Sequence, residues 1–250
     1  MTASRPALKM TLATSTEDRD DAADASAAQY TARARTVRLR LLEQQGRIDR
    51  ALAWAMNRCA ALLLLMLLAP LMLLVAGLIG LSEGRPVLFG GYRVGRDGRL
   101  FRCLKFRTMV RDAQSALDSL LREDAAAREQ WAREQKLDND PRVTRLGLFL
   151  RRSSLDELPQ LFNVLRGEMA LVGPRPITVP ELERYGITRW HYLHALPGIT
   201  GLWQVSGRSD VSYTQRVRLD RRYVEQRNLL TDVAILLRTV RVVLARDGAR

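Results

Sequence analysis

Apolar and polar positions divide the chain into three parts. Residues 1–45 are rich in Ala, Ser, Thr and Asp and contain Tyr30 as their single aromatic residue. Residues 46–84 contain a long apolar run, and residues 85–250 alternate between apolar and charged segments. The first part offers too little apolar surface to offset the entropy that ordering costs. The pattern therefore predicts a disordered tail, then a membrane-associated helix, and then a folded domain.

The apolar run covers residues 59–81 without a charged side chain. A straight helix of that length, at ~1.5 Å per residue, crosses a hydrocarbon core of ~30 Å. Pro70 stands in the middle of the run and favours a kink. Arginines flank the run on both sides, and positive charge tends to remain in the cytoplasm. The pattern leaves a straight span and a re-entrant helix as open alternatives.

Residues 85–250 predict a mixture of short strands and helices. Two alternating segments joined by Asp97 and Gly98 predict a β-hairpin. The polar, Ala-rich residues 111–136 favour a single helix. At the end of the chain, residues 228–246 predict an apolar helix whose arginine edges suit a membrane surface.

An amphipathic helix and two irregular segments are predicted between these elements. The segment 172–176 (VGPRP) is predicted to be extended because two prolines flank one arginine. The segment 196–208 (LPGITGLWQVSGR) reads as a glycine-punctuated loop. The helix is predicted by four apolar residues at i, i+3, i+4 and i+7 spacing, namely Leu158, Leu161, Phe162 and Leu165.

Composition and charge narrow the class of protein. A hydrophobic content of 47% excludes a wholly disordered chain. The two cysteines, Cys59 and Cys103, exclude a disulfide scaffold and a four-thiolate zinc site. The net charge of +13 suits anionic phospholipid as well as nucleic acid. No nucleic-acid motif accompanies it, so nucleic acid is not expected as a partner, but a membrane-tethered basic binding protein remains an alternative.

The pair Asp156-Glu157 has two interpretations. Ser154 and Glu157 have the S-x-x-E spacing of a capping box, which is the structural interpretation. Alternatively, a carboxylate at a helix N-terminus could attack phosphorus while its neighbour binds a divalent ion. Arg151 and Arg152 would add positive charge to that site. Spacing alone favours capping.

Several basic residues are candidates for phosphate recognition. Lys105 and Arg107 alternate in the strand-like segment KFRTM, where a solvated basic edge is the simpler explanation. Lys105 is nevertheless one of only three lysines among 40 basic residues. Arg175 in GPRP and Arg208 in SGR stand on rigid or glycine-rich backbone, which suits bidentate phosphate binding as well as an ordinary surface position.

Two weaker patterns concern metals. The triplet 138–140 (Asp-Asn-Asp) matches the D-x-D pattern of nucleotide-sugar glycosyltransferases, although a turn before Pro141 explains it better. His191 and His194 share a helical face without an evident third ligand.

Three longer motifs, considered together, favour the functional interpretation of these residues over the structural one. They are KFRTM, NDPRVTRLGLFLRRSSLDELPQLFNVLRGEMALVGPRP and LPGITGLWQVSGR. Over residues 50–250 the chain closely resembles the bacterial sugar transferase family, the monotopic polyprenyl-phosphate phosphoglycosyl transferases. The resemblance implies an α+β, mainly helical fold. In that fold a re-entrant membrane helix (46–84) and amphipathic interfacial helices surround a small catalytic domain (85–250) that contains the hairpin.

The resemblance also implies a reaction. Asp156 would be the nucleophile on the β-phosphate of a UDP-sugar, giving a phosphosugar-aspartyl intermediate and UMP. Polyprenyl phosphate would then accept the phosphosugar. Glu157 would hold Mg²⁺ together with Asp156, or Glu157 would act as a general base. Lys105 and Arg208 complete the implied catalytic set.

The remaining implied roles concern substrate binding and location. The substrate-binding residues would be Arg175, Arg107, Arg151 and Arg152. The expected location is the cytoplasmic face of the inner membrane, in contact with its lipid. The identity of the sugar, the length of the lipid, the role of the tail and a homodimeric assembly remain open. The rival enzyme, a D-x-D glycosyltransferase, would release UDP instead of UMP.

Overall fold

In the computed structural model of the chain, which describes residues 47–134, 137, 140–207 and 211–245, the longest element is helix α1 (Arg47–Ser82). Its segment Leu52–Ser82 is long and apolar enough to cross a membrane. Pro70 lies inside the helix without ending it. The predicted apolar helix is therefore confirmed, whereas its re-entrant path stays a prediction. The predicted tail lies outside the described residues.

The predicted hairpin is confirmed. Strands β1 (Leu88–Val94) and β2 (Leu100–Phe106) pair antiparallel, with Gly91 opposite Cys103. Asp97 and Gly98 both have positive φ, 58° and 77°, in the turn. Such turn geometry is what an Asp-Gly pair favours between alternating segments.

The single helix expected over 111–136 is wrong. The described part of this segment forms two helices, α2 (Ala113–Glu123) and α3 (Ala125–Glu134). Asp124 separates them with an extended backbone. Its carboxylate accepts hydrogen bonds from the amides of Ala126 (2.8 Å) and Ala127 (3.0 Å) in the first turn of α3. An aspartate that caps the second helix ends the first one.

The rest of the chain alternates short helices with two short strands. Strands β3 (Ala170–Val172) and β4 (Gly198–Thr200) pair parallel, so part of the predicted glycine loop is a strand. The two strands approach so closely that only glycine fits at position 198, since a Cβ there would lie 2.1 Å from the backbone nitrogen of Gly173. In order, the elements are α4 (Arg145–Arg152), α5 (Gln160–Arg166), β3 (Ala170–Val172), α6 (Val179–Glu183), α7 (Arg189–His194), β4 (Gly198–Thr200), α8 (Tyr213–Gln226) and α9 (Leu229–Ala245).

Two clusters of buried apolar residues hold these elements together. The first joins α1 to β2 and α4 through Met72, Val75, Ile79, Phe106 and Leu150. The second joins the hairpin to α7 and α8 through Val94, Ile177, Tyr185, Tyr192 and Val217. Burying a large apolar side chain contributes about 1.5–3 kcal/mol relative to leaving it in water. The membrane-type helix is thus part of a core of the folded domain.

Helix α5 is confirmed, and of the four residues predicted for its apolar face only Phe162 is exposed. Leu161 is buried, whereas Phe162 is 40% exposed. The buried positions include two polar residues instead, Gln160 at 3% and Asn163 at 0% exposure. Periodicity could not foresee this, because a polar side chain is buried only where tertiary partners satisfy it.

Helix α9 is confirmed as an apolar helix with two different faces. Ile235 is buried, and Thr239 shares a 2.7 Å hydrogen bond with Thr200 of β4. The opposite face exposes large apolar side chains, including Leu230 (81%), Leu237 (68%) and Val240 (59%).

Candidate active site

The Asp-Glu pair lies in a short 3-10 turn, Leu155–Glu157, between α4 and α5. Ser154 enters the turn with a left-handed backbone (φ 56°), and Pro159 occupies the N-cap position of α5. The side chain of Ser154 makes no capping hydrogen bond. The capping-box interpretation is therefore wrong, and the carboxylate of Glu157 bonds Lys105 instead.

Lys105 joins the strand β2 to this turn. Its Nζ lies 2.6 Å from Oε1 of Glu157 and 3.5 Å from Oδ2 of Asp156. The Asp156 side chain keeps only 9% of its surface exposed, against 28% for Lys105. One ammonium between two carboxylates in a partly desolvated place gives stronger interactions than the same charges have at an open surface.

The environment of Asp156 affects its protonation. Burial raises the pKa of Asp156 above the ordinary value of an aspartate. The ammonium of Lys105 opposes this rise, the neighbouring Glu157 adds to it, and the charge of Arg151 opposes it further. The charges of Lys105 and Arg151 therefore limit the rise in the pKa of Asp156 that burial causes.

Arg151 is held beside the turn by its own contacts. Its Nε donates a 2.9 Å hydrogen bond to the hydroxyl of Thr108. Helix α4 can approach Thr108 because Gly147 has no side chain, and a Cβ there would lie 2.1 Å from the Thr108 carbonyl oxygen. Arg152, the next residue, is exposed to solvent.

A cleft opens beside the Lys105–Glu157 pair. Its chemistry suits an anionic ligand, because Lys105 and two arginines face one carboxylate there. Sequence reasoning missed Arg93, Gln160 and Gln204; the latter two stand inside the long motifs, which was their only signal. The lining residues are Arg93, Cys103, Lys105, Glu157, Gln160, Arg175, Pro176, Ile199 and Gln204.

Arg175 reaches the cleft from a stacked arrangement. Its guanidinium carbon lies 5.9 Å from the ring centre of the buried Trp203, and that of Arg216 lies 4.5 Å from the same ring. Burial lowers the pKa of Arg216, and the charge of Arg175 lowers it further. Arg216 was not singled out from the sequence, since only the fold brings α8 to this side of Trp203.

Of the predicted site residues that the structure describes, Asp156, Arg107, Arg151 and Arg152 are not among those that line the cleft. Arg107 is buried, and its Nη2 donates to the backbone carbonyls of Glu83 (2.9 Å) and Gly84 (2.7 Å), just after α1. This contact secures the end of α1, and Arg107 does not line the cleft. Arg208 lies outside the described residues.

The carboxylates fit only a partial metal site. No group of three His, Cys, Asp or Glu side chains that could hold a metal occurs in the described residues. Asp156 and Glu157 nevertheless supply the one or two carboxylates with which proteins bind Mg²⁺, the remaining positions being taken by water and substrate phosphate. The two residues therefore fit Mg²⁺ that arrives with a phosphate ligand.

The weaker metal patterns are not supported as far as the structure describes them. Asp140 makes a bidentate ion pair with Arg142 (2.8 and 2.7 Å), and the other two residues of the triplet lie outside the described chain. Burial alone would raise the pKa of Asp140, but the hydrogen bonds and charge of Arg142 lower it. His191 pairs with Glu225 at 3.1 Å, and His194 contacts the carbonyl oxygen of Trp190.

Comparison with known proteins identifies the family of this chain. The family model described as bacterial sugar transferase matches residues 48–246. The chain belongs to the bacterial sugar transferase family. All of the site described above falls within the matched residues of this family.

Named relatives in the family come from several bacteria. The chain is 53% identical over 189 residues to the UDP-galactose-lipid carrier transferase of Erwinia amylovora, covering 76% of this chain and 39% of the relative. It is 50% identical over 203 residues to the undecaprenyl-phosphate galactose phosphotransferase of Salmonella typhimurium, covering 81% and 42%. It is 48% identical over 189 residues to the exopolysaccharide production protein ExoY of Sinorhizobium fredii, covering 76% and 84%. The chain thus spans about two fifths of the first two relatives and most of the third.

Proposed function

We propose that this protein transfers a phosphosugar from a UDP-sugar to polyprenyl phosphate, releasing UMP and forming a polyprenyl-diphosphate-sugar. This would be the first membrane step of exopolysaccharide or O-antigen synthesis. The names of the relatives support the substrate classes. The observation that carries the reaction is the largely desolvated Asp156 carboxylate, 3.5 Å from Lys105, which lines a basic cleft.

The first half-reaction forms a covalent intermediate. A carboxylate oxygen of Asp156 attacks the β-phosphorus of the UDP-sugar. The bond between that phosphorus and the bridging oxygen breaks, and the oxygen leaves as part of UMP. Lys105 and Arg175 neutralise the charge that develops on the phosphates, which is the type of stabilisation that contributes most in a preorganised site.

The second half-reaction regenerates the carboxylate. A phosphate oxygen of polyprenyl phosphate attacks the phosphorus of the aspartyl intermediate, and the acyl-phosphate bond to Asp156 breaks. Two displacements with UMP leaving in between make a ping-pong sequence. Mg²⁺, held by Asp156 and Glu157, would supply additional neutralisation of phosphate charge. Glu157 otherwise serves as the general base, with Lys105 2.6 Å away fixing its position.

The contacts of α1 support a re-entrant membrane association. Near its start, Asn57 accepts a 2.8 Å hydrogen bond from the amide of Leu171, and Arg58 donates a 3.1 Å bond to the carbonyl of Leu165. Near its end, Ile79 is fully buried in the first core cluster. Both ends thus contact the same folded unit. If α1 crossed the membrane, its two ends could not both contact this unit. The contacts therefore favour a path in which both ends of α1 lie on the same side of the membrane.

Other apolar surfaces support interfacial helices on the same side. Helix α4 exposes Leu148 (42%) and Phe149 (56%) next to its terminal arginines, and α9 exposes its apolar face. Helices of this kind lie in a membrane interface with their arginines near anionic headgroups. Because UDP-sugars are cytoplasmic, we place the cleft at the cytoplasmic face of the inner membrane.

The test is the identity of the leaving nucleotide. The full chain in lipid or detergent is incubated with Mg²⁺, polyprenyl phosphate and a panel of UDP-sugars. We expect UMP, and with the correct donor but no lipid, intact mass should increase by one phosphosugar. Asp156→Asn is the matched control and should show neither. Release of UDP would favour the D-x-D rival, and salt-sensitive DNA binding without turnover would favour a basic binding protein.

A further inference from the structure

Asn163 is a fully buried polar side chain at a junction of the site. It lies on α5, seven residues after Asp156, and has 0% exposure. Its Oδ1 accepts a 3.0 Å hydrogen bond from the amide of Leu104, and its Nδ2 donates a 2.8 Å bond to the carbonyl of Arg102. A buried amide of this kind is retained only when its donors and acceptor are all satisfied.

The two backbone partners lie on one edge of β2. In an antiparallel pair, alternate residues direct their N–H and C=O groups to the same edge. Arg102 and Leu104 are two apart, on either side of Cys103, so the Asn163 carboxamide pairs with β2 as the N–H and C=O of one residue in a parallel third strand would. The described strand that pairs with β2 is β1, on its other edge.

Glu168 fixes the orientation of this amide. Its Oε2 lies 2.5 Å from Nδ2 of Asn163 and takes the second N–H. The backbone strengthens the arrangement, because the Asn163 carbonyl accepts bonds from the amides of Glu168 (3.0 Å) and Met169 (3.3 Å). With both N–H groups committed, Oδ1 must face the amide of Leu104.

We propose that Asn163 is a positioning residue that holds Lys105 in register with the Asp156-Glu157 turn. We call the two hydrogen bonds from Asn163 to Arg102 and Leu104 the clamp. Because Lys105 is the residue after Leu104, the clamp fixes the position of Lys105 along β2. Helix α5 carries Asn163 and begins three residues after Glu157. The same side chain therefore fixes the position of β2 relative to the turn. This inference rests on the proposed function only for its catalytic consequence, not for the clamp itself.

The short contact between Lys105 and Glu157 leaves little tolerance in the position of β2. A strand advances by about 3.3 Å per residue, so a slip of two residues would move Lys105 by about 7 Å. The contact between Lys105 and Glu157 is 2.6 Å long and would not survive it. Even a misplacement of about 1 Å at a site of this type costs roughly 10²-fold in rate.

The first experiment measures the contact without any turnover. A carbodiimide activates carboxyl groups and joins Glu157 to the Lys105 amine as an amide with loss of water, which peptide mass spectrometry quantifies. We expect the full-length wild type to form this cross-link and Asn163→Ala to lose most of it. Glu168→Gln, which keeps an oxygen acceptor for the amide, is the matched control and should keep it. An unchanged yield in a folded Asn163→Ala would overturn the clamp.

The second experiment is a double-mutant cycle on UMP release. Asn163→Ala should lower kcat about 10²-fold in the wild-type background and by less than about 3-fold in Lys105→Ala, because coupled residues are not additive. A purely structural role would multiply the two losses, and that result would overturn the inference. Asn163→Ser, which keeps a small uncharged polar side chain at this buried position, replaces Asn163→Ala if the latter does not fold. If the wild type cross-links but releases no UMP, the reaction is wrong and the clamp stands.

Discussion

The ammonium of Lys105 lies 3.5 Å from the carboxylate of Asp156, a residue that is 51 positions later in the chain. The strand and the turn meet so that the lysine makes its shorter contact with Glu157 and leaves Asp156 with the longer one. Asp156 therefore lies near a positive charge without giving an oxygen to a short ion pair. Such an arrangement suits a nucleophile, because its lone pairs stay available.

Loss of Lys105 should change the pH dependence of adduct formation. Lys105 is the strongest influence that lowers the pKa of Asp156, against burial that raises it. Activity of an anionic nucleophile falls as pH drops through its pKa, so Lys105→Ala should move this acidic limb to higher pH and lower the rate by orders of magnitude. Single-turnover UMP release from pH 5 to 9 measures both. An unmoved limb would contradict the assignment.

Asp156→Asn and Glu157→Gln should fail in different ways. The first removes the attacking oxygen, so neither UMP nor the adduct should form. The second keeps the nucleophile, so a slow adduct should remain, with weaker dependence on added Mg²⁺ if Glu157 is a metal ligand. Intact-mass spectrometry across a Mg²⁺ titration separates the two variants. Near-normal turnover by Asp156→Asn would remove that residue from the mechanism.

Arg175 and Arg107 should be separable by what they affect. Arg175→Ala removes a cleft guanidinium, so KM for the UDP-sugar should rise or kcat should fall by more than about tenfold, the magnitude of a charged hydrogen bond. Arg107→Ala breaks the bonds to the carbonyls after α1 and should mainly lower thermal stability. Kinetics and unfolding temperatures of both variants provide the check. Equal kinetic losses at unchanged stability would place Arg107 in substrate binding after all.

Asp220 predicts a pH-dependent stability. The residue is 2% exposed, accepts a 2.8 Å hydrogen bond from Tyr185, and burial raises its pKa to about 7. Between the unfolded value of about 3.9 and this value the native state holds a proton that the unfolded state has lost, so stability should fall as pH rises, by at most ~1.4 kcal/mol per pH unit.

The variant Asp220→Asn tests this dependence. An asparagine keeps an oxygen acceptor for the Tyr185 hydroxyl and has no proton to lose. Its stability relative to the wild type should therefore increase from pH 5 to pH 7. Unfolding temperatures at four pH values would show it. Parallel curves for the two proteins would contradict the raised pKa.

The membrane path can be tested by labelling. In a Cys59→Ser background, Arg47→Cys and Arg85→Cys place one thiol at each end of α1, while Cys103 is buried. A membrane-impermeant maleimide applied to inside-out vesicles should label both positions, and intact cells should label neither. Labelling of the two positions from opposite sides would restore the straight span.

Local signals in the sequence were sufficient for some elements. The hairpin follows from alternation and an Asp-Gly turn, and both are properties of neighbouring residues. The break at Asp124 was missed, because an aspartate within a polar, Ala-rich stretch is compatible with helix until its carboxylate is seen to cap the next one. The burial of Asn163 was missed because its partners are about 60 residues away.

The site was predictable only through its resemblance. Spacing favoured a capping box for Ser154 and Glu157, but Ser154 adopts a left-handed backbone and Lys105 takes the carboxylate. The long motifs singled out Lys105, Arg175 and the dyad, which the fold brings to one place. Arg107 was grouped with them because it stands two residues after Lys105. Its buried contacts with the end of α1 have no local signature.

The first apolar cluster has a practical implication for anyone preparing this protein. Phe106 follows the proposed catalytic lysine directly and is buried against Ile79 and Leu150. Deleting α1 to obtain a water-soluble fragment would expose the Phe106 ring to solvent and weaken the packing of the strand that carries Lys105. A solubilising medium that keeps α1 packed on the domain should therefore preserve more active protein through purification.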